Sequence, residues 1–152
     1  MSPAMLRATL DDPLTRPFWD GCARGELLVP RFTVSGNVVW PPRPMDPVSR
    51  TLEHEWVRAT GEATIWSFVV AHPPLLPAYA EFAPYPVVVV ELTDHPAVRM
   101  VGNIVTAVDA PIDSVAPATI TIGEPVRVAF ADQDGVTVPR WVRDQDRSPR
   151  SD

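Results

Sequence analysis

The chain contains no lysine; every basic residue is an arginine. That removes Schiff-base lysine catalysis and the phosphate-gripping lysine of a P-loop. Cys22 is the single cysteine, so no internal disulfide can form and no cysteine-based metal cluster can be assembled. Only three histidines occur, His54, His72 and His95, with no H-x-x-x-H spacing and no carboxylate cluster joining them. Long hydrophobic runs are missing as well. The longest, Val87–Val90 with its neighbours, is far too short to span a bilayer. The opening residues M-S-P-A-M-L-R-A-T-L lack the apolar core of a signal peptide, which predicts a soluble cytoplasmic protein with no membrane contact. A net charge of −6 argues against the broad electrostatic footprint of a nucleic-acid binder.

What is present is apolar and rich in proline. The 152 residues are 45% hydrophobic, enough for one domain or a barrel with a small appendage. Nineteen prolines, mostly between the apolar runs, predict short strands and rigid loops in place of long helices. The stretch Ala59–His72 is rich in β-branched and aromatic residues and reads as a strand. Strict alternation puts Ala63, Ile65, Ser67, Val69 and Ala71 on one face and Thr64, Trp66, Phe68, Val70 and His72 on the other. Both faces are largely apolar, which suits a long, bent strand in a small closed barrel with Gly61 as a bend point. Pro86–Leu92 is a second strand of that kind.

In chain order, residues 1–12 read as a flexible lead and Pro13–Gly25 as a short helix capped by Thr15. Leu27–Phe32 and Val38–Trp40 read as two short strands about the turn Ser35-Gly36-Asn37, followed by the loop Pro41–Ser49. Leu52–Arg58 leads into the main strand. The four-proline segment His72–Pro84 is a long loop of the sort that is functional or partner-facing. Pro86–Leu92 and Val98–Val105 pair around T-D-H-P. Thr119–Ile122, Pro125–Ala131 and Val136–Val142 supply the last strands, the last two joined by the hairpin signal Asp134-Gly135. The expected divisions are a lead and helix at 1–26, a two-strand element at 27–57, a five-stranded barrel at 58–143 and a disordered charged tail at 144–152. Periodicity alone gives a small, mainly β barrel.

Several fragments in this order resemble one family. They are F-W-D-G-C-A-R-G-E-L-L-V at 18–29, W-P-P-R-P-M-D-P at 40–47, G-E-A-T-I-W-S-F-V-V-A-H at 61–72, P-Y-P-V-V-V-V-E-L at 84–92, and G-E-P-V-R-V-A-F with D-G and V-P-R-W at 123–141. Together they look like the zinc-ribbon plus OB-fold proteins labelled domain of unknown function 35. The resemblance implies an N-terminal helix, a rubredoxin-like ribbon and an OB barrel. It also implies a place beside thiolase-like enzymes that act on acyl-CoA thioesters. The family's four zinc-binding cysteines align with Phe32, Ser35, Asp46 and Ser49, so the ribbon is expected to be a metal-free hairpin over about 27–50.

The remaining candidates weigh modestly. Cys22, on an apolar helix face with no paired histidine, reads as a core thiol and not a nucleophile. Trp66 and Phe68 read as core. Tyr79, Phe82, Tyr85 and His72, in or beside the proline-rich loop, are the expected ligand- or partner-facing residues. Arg31, Arg43 and Arg58 near the ribbon are candidates for holding CoA phosphates or partner carboxylates. No catalytic residue, resident metal or cofactor is expected, coenzyme A thioester being at most a shared substrate. The resemblance implies a non-catalytic subunit of a thiolase, acyltransferase or retro-aldolase, the last including steroid side-chain cleavage. Its partner would be a thiolase-like, lipid-transfer-protein-like chain in a hetero-oligomer. Two other readings stay open: a stand-alone acyl-CoA or lipid-binding module, and a single-strand nucleic-acid binder, which the charge disfavours.

Overall fold

A computed structural model describes residues 4–144. The tail beyond Asp144, expected to be disordered, lies outside the described residues. Helix α1, Arg16–Ala23, starts with proline in its first turn. Thr15 occupies the N-cap but makes no side-chain cap bond. Instead the Asp12 carbonyl accepts from the amides of Thr15 and Arg16 at 3.1 and 2.9 Å.

The two-strand element differs from expectation in its pairing. Strand β1, Leu28–Phe32, pairs antiparallel with β2, His54–Arg58, from Leu28↔Arg58 to Phe32↔His54. Val38–Trp40 is not a strand; Val38 makes only an isolated bridge to Arg31. Prolines at 41, 42 and 44 follow it at once and cannot donate to a ladder. The chain therefore loops out over residues 33–53 and returns as β2, a separate strand and not a lead-in to the barrel.

Five strands then close a barrel in the order β3–β4–β5–β7–β6. They are β3 Glu62–Ala71, β4 Tyr85–Leu92, β5 Arg99–Val105, β6 Pro125–Gln133 and β7 Val136–Arg143. All contacts are antiparallel except β5 with β7, which run parallel and pair only at Ile104↔Trp141 and Val105↔Val142. Helix α2, Pro77–Ala80, interrupts the long loop. Thr119–Ile122 is not a strand: Pro117–Thr119 forms one 3₁₀ turn, with proline setting its first residue. The β6–β7 hairpin turns at Asp134 and Gly135 with φ of 53° and 84°, the paired positive angles of a type I′ turn.

Gly61 enters the barrel wall at φ +83°, and a Cβ there would come within 2.4 Å of Val128 Cγ1. The bend at the start of β3 thus requires glycine. The inward side chains include Ala63, Ile65, Val88, Val90, Leu92, Met100, Ile104 and Trp141. They join Phe18 and Cys22 from α1, Leu27 just ahead of β1 and Val29 from β1 in one cluster. One continuous core therefore ties the helix and ribbon strand to the barrel.

A bulge between Ile65 and Ser67 breaks the alternation along β3. Trp66, on the opposite face from the buried Ala63 and Ile65, points outward, 49% exposed, with the Arg99 guanidinium 4.0 Å over its ring. The expected core role fails for Trp66. Beyond the bulge Phe68 faces Val88 and packs on the core, and Val69 points to solvent.

Candidate functional site

An apolar hollow lies where α1, the ribbon loop and the barrel meet. Because β5 and β7 pair only at Ile104–Val105, their preceding halves separate and leave a gap between Met100–Asn103 and Val138–Pro139. Phe18 and Trp19 from α1 and Trp40 from the ribbon loop wall the gap, and Trp141 lies at its base. The cavity measures about 320 Å³. Phe18 packs edge-on against Trp19 at 4.9 Å and tilted against Trp40 at 4.8 Å. Gly102 has a definite purpose here. A Cβ at this position would come within 2.8 Å of Trp141 Cδ1, so only glycine lets β5 run beneath the indole edge.

The lining is aromatic and aliphatic with two amides, Asn103 and Gln133. Such a slot accepts an apolar body carrying one or two hydrogen-bonding groups. Gln133 is itself engaged, its Nε2 donating to the Leu6 carbonyl at 3.0 Å. Sequence reading assigned no ligand-site role to Phe18, Trp19 and Trp40, and gave Gly102, Asn103 and Gln133 no role. The signal was the aromatic pair at 18–19, which a helix of only eight residues cannot bury by itself.

The residues expected to face a ligand or partner are scattered. His72 is exposed at the end of β3. Tyr85 is a correction: it is buried, 9% exposed, because it opens β4 with its ring turned under the loop. Burial, and after it the neighbouring Tyr79, pushes its phenol above the ordinary value. Tyr79 stacks on Tyr85 at 6.4 Å and is half-buried, and its hydroxyl accepts from the Leu6 amide at 3.2 Å. Phe82 is half-buried and shares a smaller hollow with Met5 and Arg140. Leu6 is thus pinned through both its amide and its carbonyl, so the lead is tied down where a free segment was expected. Replacing Tyr79 by phenylalanine removes one of these bonds. Hydrogen exchange at the Leu6 amide should rise several-fold, consistent with the ~1 kcal/mol of one net hydrogen bond, while β4 stays protected. Unchanged exchange at Leu6 would show that Tyr79 does not hold the segment.

Among the arginines, Arg31 is paired with Glu55, and Arg58 lies 3.9 Å from Glu26. Arg43 is exposed and has no carboxylate within 4 Å among the described residues. Cys22 is fully buried, and desolvation pushes its thiol up to about 12. It is a core thiol, inert as a nucleophile.

The ribbon positions that the resemblance aligns with zinc ligands behave differently from one another. Phe32 is fully buried beside the His54 ring at 5.9 Å. Ser35, Asp46 and Ser49 converge. The Asp46 carboxylate is fully buried and accepts from Ser35 Oγ at 2.5 Å, Ser49 Oγ at 2.6 Å and Asn37 Nδ2 at 3.2 Å. It also accepts from the amides of Val48 and Ser49 at 3.1 and 3.2 Å. Burial alone would raise its pKa. The bonds from Ser35, Ser49, Val48 and Asn37 outweigh that and hold it well below the usual carboxylate range. One carboxylate, two hydroxyls and a phenyl ring do not fit a tetrahedral zinc site. Among the described residues no group of three or more His, Cys, Asp or Glu could hold a metal ion.

Residues 56–131 match the family described as "ChsH2, C-terminal OB-fold domain". Over 95% of its length the chain is 31% identical to the 3-oxo-4,17-pregnadiene-20-carboxyl-CoA hydratase alpha subunit of Mycobacterium tuberculosis, of which it covers 45%. Over 77% of its length it is 31% identical to a probable enoyl-CoA hydratase alpha subunit of Thermomonospora curvata, of which it covers 33%. The chain thus spans less than half the length of these curated relatives. Among solved structures it resembles a chain of the Ltp2-ChsH2(DUF35) aldolase with a TM-score of 0.75 and 27% identity. That match covers 90% of this chain and 98% of the other. It shares its fold with a DUF35-family protein of unknown function from Sulfolobus solfataricus, at a TM-score of 0.57 and 11% identity.

Proposed function

We propose a function from one premise: the chain belongs to the family of ChsH2 C-terminal OB-fold domains. It serves as the accessory subunit of a thiolase-like enzyme acting on acyl-CoA thioesters, and it carries no catalytic group of its own. The observation that carries the reading is the near-complete match in fold and length to a chain of the Ltp2-ChsH2(DUF35) aldolase. The site supports it in two ways. Cys22 is sealed in the core and offers no nucleophile to a bound thioester. The aromatic slot between α1 and the barrel suits the apolar part of an acyl-pantetheine unit passing a subunit boundary. The reaction at the partner's site is of the aldolase class, with a steroid-derived acyl group as the first substrate to try. The names of the relatives motivate both choices.

The test is co-expression with an Ltp2-type thiolase subunit from the same genome, followed by size-exclusion chromatography. A stable hetero-complex is expected, burying on the order of 1,600 Å² or more. Separate elution of the two chains at micromolar concentration sinks the reading.

A further inference from the structure

The two turns clasped by Asp46 present an unusual surface. Val34, Met45, Val48 and Leu52 lie in or beside them, exposed by 61%, 47%, 72% and 64%. The loop 33–53 contains four charged groups, Arg43, Asp46, Arg50 and Glu53; Asp46 is wholly buried, and the exposed Glu53 sits at the base, its carbonyl accepting from the Thr33 amide. Beyond that base the exposed charges of the tip, Arg43 and Arg50, are both positive, on a chain whose net charge is −6. Most other arginines are neutralised locally. Arg16, Arg24, Arg31, Arg58, Arg99, Arg127 and Arg143 each lie within 4 Å of a carboxylate. Arg43 and Arg50 have no such neighbour among the described residues.

The tip is also stiff. Asp46 draws the 33–37 turn to the 46–51 turn through Ser35, Asn37 and Ser49. Backbone bonds from Asp46 N to Thr51 O and from Arg50 N to Asp46 O, both 2.9 Å, close the second turn. Apolar side chains and unpaired arginines on a preorganised knob are the composition of an interface centre, and little conformational entropy remains to be lost on docking.

We propose that this ribbon tip is a protein-docking knob, seated on an acidic, apolar-floored patch of the thiolase-like partner. The proposal rests on the accessory-subunit reading and adds the surface and its charge complement. Two arginines make too small a footprint for nucleic acid, and an anionic membrane would repel the acidic body that follows the knob. The barrel wall at Trp66 is a weaker choice, because Arg99 already covers that ring and is paired with Glu91.

The experiment measures the dissociation constant of the complex with the co-expressed Ltp2-type subunit. It compares wild type, the double variant R43E/R50E and, separately, Val48→Ser. All three substituted residues are exposed, and thermal melts of the isolated chains check that each variant is folded. The charge reversal should weaken binding at least about tenfold, and wild-type affinity should fall as salt rises from about 50 to about 500 mM. Val48→Ser should weaken it several-fold with the salt dependence kept. Folded variants that bind like wild type overturn the knob while leaving the accessory reading intact. A wild-type chain that binds no such subunit overturns the accessory reading and the knob with it. Co-sedimentation of the wild type with phosphatidylserine-containing vesicles also overturns the protein-docking assignment.

Discussion

Replacing Asp46 with alanine is expected to lower the melting temperature by on the order of 10 °C and to unfold the ribbon tip before the barrel. The carboxylate is the common acceptor of five hydrogen bonds from two turns that share no strand ladder at that point. Its removal leaves two hydroxyls, an amide side chain and two backbone N–H groups without their acceptor, some of them out of reach of water. Asp46→Asn keeps the shape but replaces one acceptor oxygen with an N–H₂, which the two serine hydroxyls can meet by turning but the Val48 and Ser49 amides and the Asn37 N–H₂ cannot, so it should fall between alanine and wild type. The sign of the pH dependence follows from the depressed pKa. The folded-state value lies well below the 3.8 of an ordinary aspartate. The stabilisation is therefore complete above that ordinary value and is lost as pH falls from about 4 toward the folded-state value. Wild type and Asp46→Asn should differ most near pH 7 and converge in acid. Parallel melting curves from pH 7 down to about pH 2 would show that Asp46 does not organise the tip.

This arrangement also shows how far the sequence could be read. Val87–Val90, the Asp134-Gly135 turn and the Pro13–Gly25 helix were legible because each is set by local pattern and turn chemistry. The ribbon pairing was not. Leu28–Phe32 could close on Val38–Trp40 through a short turn or on His54–Arg58 across a long loop. The prolines at 41, 42 and 44 decide for the second only through the ladder bonds they cannot make. Nor could strict alternation foresee the bulge that turns Phe68 toward the core and Val69 to solvent.

The candidate site was illegible for a different reason. Its walls come from positions 18–19, 40, 100–103 and 138–141, which only the closed barrel brings together. A glycine in R-M-V-G-N-I-V reads as a weak point in a strand until Trp141 is known to lie over it. Asp46 was visible only as a position that the resemblance aligns with a zinc ligand, and its acceptor role depends on Ser35 and Ser49 turning inward, a matter of loop geometry.

The largest effect on activity should separate the lone chain from its complex. The purified chain is expected to turn over no acyl-CoA above the buffer rate, and the complex with the thiolase-like subunit to exceed it at least about a thousandfold. A thioester reaction needs an activated nucleophile or base with a group to orient it. Cys22 has no solvent access, and a thiol pushed up to about 12 is ionised in only about one molecule in ten thousand at pH 8. His95 lies 3.6 Å from Asp94, in the turn between β4 and β5, without a hydroxyl or thiol bonded to it among the described residues. His54 Nδ1 is spent on the Leu52 carbonyl at 2.9 Å, and His72 is solvent-exposed. Cys22→Ala should therefore leave the specific activity of the assembled complex unchanged within about twofold, even where the missing sulfur costs some stability. Acyl-CoA turnover by the lone chain, or loss of the complex's activity in a correctly assembled Cys22→Ala variant, would move the chemistry into this subunit and end the accessory assignment.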